Sequence, residues 1–214
     1  MNLSQTLAAH RLLAIIRAPS GEHLTPALHT LIDAGVHAIE VTLPTPGSLQ
    51  AVSALRAEVD SSGLDIVIGV GTVMSTADVR QAADAGAQFV VSPHFDPSIV
   101  TVAKLHDLGT LPGVFTPTEA VHAWQAGASA AKLFPASNLG PGFLAAIRQP
   151  LPDLPVVPTG GVGLDDVQPW LDAGALAVAV GSPLIGDALQ SGDMMALRRR
   201  AESFLTIVGS HANA

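Results

Sequence analysis

The nine residues DAGVHAIEV at positions 33–41 recur along the chain in three further versions. These are DAGAQFVV at 84–91, QAGASAAKL at 125–133 and DAGALAVAV at 172–180. Each version places a glycine after a helical pattern and then starts a short apolar run. Glycine adopts the left-handed conformation that ends many helices, so each version predicts a helix, its cap and a strand. The runs show no polar alternation, which is typical of parallel strands covered on both faces.

Four more runs lie between these versions and predict strands at 12–17, 65–70, 110–115 and 154–158, the third of them the weakest. Helical patterns separate the strands, at 24–34, 48–59, 76–85, 98–108, 118–126, 143–149, 165–173 and 194–208. Ser75 and Thr116 are the predicted N-caps of two of these helices.

Eight strands that alternate with eight helices predict an α/β fold of the (β/α)8 TIM-barrel type. A short N-terminal helix at 3–10 is expected to cover the bottom of the barrel. An open doubly wound sheet is the alternative, but no Gly-x-Gly-x-x-Gly turn follows the first strand. Because no stretch resembles a linker, residues 1–214 are expected to form a single barrel domain.

Composition argues against several classes of protein. The net charge of −8 disfavours nucleic acid as a partner, because a basic surface supplies most of that affinity. No apolar stretch approaches the ~20 residues of a membrane-spanning helix, and the N-terminus lacks the pattern of a secretion signal. The absence of cysteine makes a cytoplasmic location the default expectation. A hydrophobic content of 48% indicates a large core or a flank buried against another subunit.

Active-site residues of such barrels lie at the carboxyl ends of the strands. These ends carry a cation, a carboxylate, a lysine, hydroxyls and glycine turns. A barrel end with a purely structural role would not need so many reactive and ligand-binding groups. The residues are Arg17, Glu40 with Thr42, Gly71-Thr72, Ser92-Pro93, Phe115-Thr116, Lys132 with Phe134-Pro135, Thr159-Gly160-Gly161 and Gly181-Ser182.

Lys132 is the strongest catalytic candidate among these residues. It lies in the apolar run AAKLFP at 130–135, whereas the only other lysine, Lys104, falls in the middle of a predicted helix. Burial of an unpaired ammonium group costs on the order of several kcal/mol, so the pKa of Lys132 is expected to fall. A neutral amine can attack a ketone carbonyl and form a Schiff base. The structural alternative is a lysine that pairs with a core carboxylate or extends out of the barrel end.

Glu40 is the expected partner of Lys132, since Ile39 and Val41 place it in apolar surroundings. A carboxyl group there could move protons during carbinolamine, imine and enamine steps. A role as counter-ion for Lys132 or Arg17 is nearly as plausible from the residues alone, and the two roles are compatible.

Two glycine-containing turns follow the last two predicted strands, Thr159-Gly160-Gly161-Val162 and Gly181-Ser182. Barrels commonly bind phosphate at this place through backbone N–H groups and a helix N-terminus. Glycine is also an ordinary turn residue, so either turn alone would be weak evidence. The pair of turns favours a phosphate site.

Together the motifs EVTL (40–43), GVGTV (69–73), SP (92–93), KLFPA (132–136) and PTGGV (158–162) resemble those of the 2-keto-3-deoxy-6-phosphogluconate aldolases and their phosphogalactonate relatives. The resemblance runs from about residue 12 to about residue 189. It implies a class I aldolase without metal or cofactor, usually a homotrimer. Its substrate would be a small phosphorylated keto acid, cleaved to pyruvate and glyceraldehyde 3-phosphate in an Entner–Doudoroff-type pathway.

The resemblance also implies roles for single residues. Lys132 would form the imine and Glu40 would shuttle the proton. Thr72 would contact the pyruvate carboxylate, in a pocket shaped by Pro93 and Phe134. The distal, phosphate end of the substrate would be lined by Thr159, Gly160, Gly161 and Ser182, and Arg17 would contact a substrate anion.

One position departs from the phosphogluconate pattern. Many of those aldolases carry an arginine four residues after the glutamate, where this chain has Pro44. The phosphogalactonate branch also lacks that arginine, and the stretches 132–142 and 170–174 resemble that branch more closely. The sequence therefore favours 6-phosphogalactonate over 6-phosphogluconate as the substrate.

Two alternative functions would also use the two glycine turns as a phosphate site. A sugar-phosphate epimerase or decarboxylase would need metal ligands or acid pairs, but the histidines show no such spacing, and only His94, after Ser92-Pro93, could reach the site. A non-catalytic barrel that senses a sugar phosphate is disfavoured by the presence of both Lys132 and Glu40. No metal is expected.

Overall fold

The computed structural model describes residues 2–212, so residues 1, 213 and 214 of the predicted domain lie outside the described part. Its strands are β1 (Leu12–Ile16), β2 (Ala38–Thr42), β3 (Val67–Gly71), β4 (Phe89–Val91), β5 (Gly109–Leu111), β6 (Gly113–Val114), β7 (Ala131–Leu133), β8 (Val156–Pro158) and β9 (Val178–Val180). They form a six-stranded sheet, in the order β5-β4-β3-β2-β1-β9, and a three-stranded sheet, in the order β6-β7-β8. All strand pairs are parallel, which confirms the predicted α/β class.

The helices follow the strands in alternation. They are α1 (Leu3–His10), α2 (Leu24–Ala34), α3 (Ser48–Ser62), α4 (Thr76–Asp84), α5 (Pro97–Leu105), α6 (Pro117–Gln125), α7 (Pro141–Arg148), α8 (Val167–Asp172), α9 (Ser182–Ile185), α10 (Ala188–Ser191) and α11 (Met194–Ala212). The one-turn helices α9 and α10 were absent from the sequence prediction, because four residues are too few for a periodic pattern. Among residues 2–212, no helix combines the length and apolarity needed to cross a bilayer.

Local signals in the sequence act as predicted. The four glycines of the repeated stretch, Gly35, Gly86, Gly127 and Gly174, all have φ between 79° and 99°. At Ser75 and Thr116, capping boxes begin α4 and α6, with the side chains of Asp78 and Glu119 completing them. These short-range contacts set where each helix ends and the next strand begins.

The predicted strand at 110–115 is instead two strands, β5 and β6, which belong to different sheets. The physical reason is Pro112, which lies between them and has no N–H to donate to a ladder. Its carbonyl oxygen still accepts a hydrogen bond from the Lys132 N–H at 2.9 Å. At the other junction between the sheets, Thr159 and Ala179 form an isolated parallel bridge.

Two apolar clusters hold the sheets in place. The larger one fills the space between the strands and the surrounding helices. The smaller one joins side chains from both sheets, among them Leu13, Phe89 and Val157, to Leu3 and Leu7 of α1. Burial of Leu3 and Leu7 confirms that the leading helix packs against the end of the sheets at which the strands begin.

Candidate active site

A cavity of about 540 Å³ opens between the two sheets, beside the turns that follow the strands. Most of the predicted site residues line it together with apolar wall residues. The lining consists of Ile15, Arg17, Glu40, Lys132, Phe134, Thr159, Gly160, Gly161, Val162, Ala179, Gly181, Ser182 and Pro183.

Lys132 is the central residue of β7 and only 8% of it is exposed. Burial lowers the pKa of its amine; the opposite charge of Glu40 raises that pKa in part, and the like charge of Arg17 lowers it further. Nζ lies 4.9 Å from the centroid of the Phe134 ring. The amine is therefore held in a largely desolvated position, which favours its neutral form more than water does.

Glu40 projects into the same cavity from β2, two residues before Thr42, which ends the strand. Burial raises the pKa of its carboxyl group, while the charges of Lys132 and Arg17 act in the opposite direction. Oε2 is buried and accepts no hydrogen bond from any described residue. A raised pKa and a free oxygen leave this carboxyl group able to exchange a proton.

Gly71, the last residue of β3, leaves the space that the Glu40 carboxyl group occupies. A Cβ at this position would lie 1.7 Å from Oε1 of Glu40, well inside van der Waals contact. The sequence analysis placed Gly71 at a strand end without assigning it this role. The signal is visible only in the side-chain packing, because the register pairs Glu40 with Gly69 and Gly71 with Thr42.

Arg17 and Thr72 meet at the mouth of the cavity, where Nη2 of Arg17 donates a hydrogen bond of 2.8 Å to Oγ1 of Thr72. Thr72 has φ 60°, a left-handed conformation that is strained for a β-branched residue and is found mostly at functional sites. The loop after Arg17 is fixed by buried Thr45, whose Oγ1 accepts a hydrogen bond from the Ala18 N–H at 3.1 Å.

The two predicted glycine turns both line the cavity, and Thr159 of the first turn is bridged to Ala179 of β9, the strand that precedes the second turn. Gly160 and Gly161 have φ of 89° and 74°. A Cβ at Gly160 would lie 3.0 Å from the Phe134 ring, and one at Gly161 would lie 2.6 Å from Cβ of Ser137. The absence of side chains here keeps the backbone accessible beside Ser182, which lines the same cavity.

Among the predicted substrate-binding residues, Thr72 is absent from the described cavity lining, and so is Pro93. The Pro93 carbonyl oxygen lies where a Cβ at Gly113 would be, at 2.2 Å, so Pro93 packs against the start of β6. Exposed His94 is likewise absent from that lining. The apolar wall residues Ile15 and Ala179 were missed, because an apolar residue in a buried strand carries no chemical signal.

Parallel strands here bring a buried amine and a buried carboxyl group into one cavity, an arrangement typical of the active site of an α/β enzyme. The family model described as KDPG and KHG aldolase matches residues 3–199. The chain therefore belongs to the KDPG and KHG aldolase family, and it is an aldolase, that is, a carbon–carbon lyase.

Two relatives and one solved structure illustrate the match. A probable 2-dehydro-3-deoxy-6-phosphogalactonate aldolase of Rhizobium meliloti is 38% identical over 191 residues, which cover 89% of this chain and 87% of that protein. A 2-dehydro-3-deoxy-phosphogluconate aldolase of Treponema pallidum is 30% identical over 98% of this chain and 99% of its own length. The Legionella pneumophila KDPG aldolase, solved with pyruvate captured as a covalent carbinolamine intermediate, superimposes with a TM-score of 0.86 at 25% identity, covering 95% and 98% of the two chains.

We predict that Gly71→Ala lowers kcat/KM for aldol cleavage on the order of 100-fold, because the new methyl group displaces the Glu40 carboxyl group by more than an ångström. Gly71 does not have a positive φ, so the backbone itself tolerates alanine. Steady-state kinetics measure the effect, and urea unfolding tests whether the variant remains folded. Gly142→Ala is the matched control, since nothing lies within 4 Å of its added Cβ. Full activity of Gly71→Ala would contradict the assignment of this space to Glu40.

Proposed function

We propose that the protein is a class I aldolase that cleaves a 2-keto-3-deoxy-6-phospho sugar acid to pyruvate and glyceraldehyde 3-phosphate. The observation that carries the proposal is the buried amine of Lys132 in one cavity with the buried carboxyl group of Glu40. The covalent pyruvate carbinolamine of the Legionella pneumophila relative supports the same chemistry. No metal or cofactor takes part in the proposed reaction.

Lys132 begins the reaction as a neutral nucleophile. Its Nζ adds to the C2 ketone to form a carbinolamine, whose hydroxyl takes a proton from the Glu40 carboxyl group and leaves as water, which gives a protonated imine. Glu40, as its carboxylate, removes the proton of the C4 hydroxyl, the C3–C4 bond breaks, and glyceraldehyde 3-phosphate leaves. The electron pair remains on the pyruvate enamine, which Glu40 reprotonates at C3. Water then hydrolyses the imine, which releases pyruvate and regenerates the amine.

The remaining residues hold the two ends of the substrate. Thr72 binds the pyruvate carboxylate, and Arg17, hydrogen-bonded to Thr72, contacts the same anionic region. Phe134 forms a wall of the pyruvate pocket beside Lys132. Backbone N–H groups of Gly160 and Gly161, with Thr159 and Ser182, receive the phosphate. Pro93 keeps its proposed place in the pyruvate pocket on the family resemblance alone.

The preferred sugar acid in this proposal is the 6-phosphogalactonate derivative, with 6-phosphogluconate as the second candidate. Pro44, exposed in the turn after β2, stands where many phosphogluconate aldolases carry an arginine. Arg17 is then the guanidinium group among the described lining residues that faces the substrate. The relative from Rhizobium meliloti, named for the galactonate substrate, is also more similar than the one from Treponema pallidum.

The proposal extends to the architecture. The six-stranded and three-stranded sheets are two arcs of one (β/α)8 barrel that forms a single domain. Continuity of β5 and β6 through Pro112 and the bridge between Thr159 and Ala179 support this closure. The family resemblance and the high apolar content support a homotrimer, and the absence of cysteine supports a cytoplasmic location. Sedimentation equilibrium measures the number of subunits.

Incubation with pyruvate and sodium borohydride tests the Schiff base directly. We expect an irreversible pyruvyl adduct on the tryptic peptide that contains Lys132, with loss of activity. Because burial lowers the pKa of Lys132, adduct formation should persist to a lower pH than for an exposed lysine and decline as the pH falls through that lowered pKa. Lys104→Arg is the control and should leave trapping intact, whereas Lys132→Arg should abolish it. An adduct shared equally with Lys104, or none at all, would refute the mechanism and favour a non-catalytic barrel.

The substrate preference is tested by kcat/KM for the two epimeric sugar acids, measured by the release of pyruvate. We expect a higher value for the 6-phosphogalactonate derivative. The epimers differ at one hydroxyl, a difference that is worth about 1–3 kcal/mol when the site hydrogen-bonds only one configuration. A clear preference for 6-phosphogluconate would reverse the assignment and leave the Schiff-base mechanism untouched.

A further inference from the structure

Helix α9 carries Ser182 into the cavity and is a single turn of four residues. Such a short helix is unstable by itself, because nucleation costs more than one turn of hydrogen bonds returns. Ser182 and Pro183, at its start, line the cavity, while Leu184 and Ile185, at its end, are buried. The contacts that fix the end of α9 therefore also fix the position of Ser182.

Arg200, on the long helix α11, makes two of these contacts. Its Nε donates a hydrogen bond to the Leu184 carbonyl oxygen at 2.8 Å, and its Nη2 donates one to the Ile185 carbonyl oxygen at 2.6 Å. Carbonyl groups in the last turn of a helix have no partner within the helix. The planar guanidinium group satisfies two of them at once, which a lysine ammonium on a flexible stem does not reproduce.

Gly186 gives the guanidinium group room for this approach. Its φ is 58°, and a Cβ built on it would lie 2.6 Å from Cζ of Arg200. The chain thus leaves α9 through a residue without a side chain at the point where Arg200 lies. Within the same turn, the Gly186 N–H donates to the Ser182 carbonyl oxygen at 2.8 Å, which links this end of α9 to its start.

We infer that Arg200 is a positioning residue for the phosphate end of the substrate. By binding the end of α9 it holds Ser182 and the adjacent Gly181 backbone at the cavity, although Arg200 is not among the described cavity-lining residues. This role rests on the proposed function, in which Ser182 receives the phosphate. Arg200 lies one residue beyond the segment that the family model matches.

Two reactions of the same enzyme separate this role from a general structural one. Cleavage of the phosphorylated sugar acid uses both ends of the cavity, whereas exchange of the pyruvate methyl protons with deuterium uses only the end that contains Lys132 and Glu40. In Arg200→Gln and Arg200→Lys, we expect kcat/KM for cleavage to fall about tenfold, mainly through KM, since each loses a charge-assisted hydrogen bond to α9. Pyruvate exchange, followed by NMR, should stay within about twofold of the unsubstituted enzyme.

Arg199→Gln is the matched control, because Arg199 is the neighbouring residue of the same helix and is exposed. It should leave both reactions unchanged. Arg200→Lys keeps the charge and provides a folded variant if Arg200→Gln fails to fold. Equal losses in both reactions, or no loss in either, would overturn the positioning role.

A third measurement distinguishes failure of this inference from failure of the proposed function. The unsubstituted enzyme should cleave the phosphorylated sugar acid with a far higher kcat/KM than its dephosphorylated analogue. If the unsubstituted enzyme shows no such preference, the phosphate end is wrongly assigned, and the proposed role of Arg200 is refuted as well. If it does, and the Arg200 variants keep the same preference for phosphate, only the role of Arg200 is refuted.

Discussion

Burial of two ionisable side chains in one cavity is the constraint on which the rest of this structure depends. Lys132 and Glu40 are both almost inaccessible to water. Burial lowers the pKa of Lys132 and raises the pKa of Glu40, and so favours the neutral form of each. The charge of each group also favours the charged form of the other. Burial therefore favours two neutral groups, whereas their mutual attraction favours an ion pair. Opposing effects of burial and charge on each group suit the acid–base role proposed for the pair.

The two side chains come from strands of different sheets. Glu40 comes from β2 of the six-stranded sheet, and Lys132 comes from β7 of the three-stranded sheet. The apolar cluster that joins both sheets to α1 holds the two strands in place, and so supplies the free energy that offsets desolvation of the pair. Close packing in that cluster is thus a condition for the chemistry.

Three glycines shape the cavity because they have no side chains. Gly71 leaves the volume that the Glu40 carboxyl group fills, and Gly160 and Gly161 expose backbone beside Phe134 and Ser137. Two of these three glycines have a positive φ, which the turn after β8 requires. Conformation explains Gly160 and Gly161, whereas Gly71 is explained by the space its neighbour needs.

The residues by themselves determined the parts of this protein that depend on short-range contacts. Most helices and strands could be placed from the caps at Ser75 and Thr116, from the glycines that follow the helices and from the apolar runs. The one lysine in such a run marked the centre of the site. Only the tertiary structure decided that Pro112 divides one predicted strand between two sheets, that the Pro93 carbonyl group packs against the start of β6, and that Arg200 holds the end of α9. Those outcomes follow from register and packing between segments far apart in the chain, where a side chain has no neighbour that local sequence can reveal.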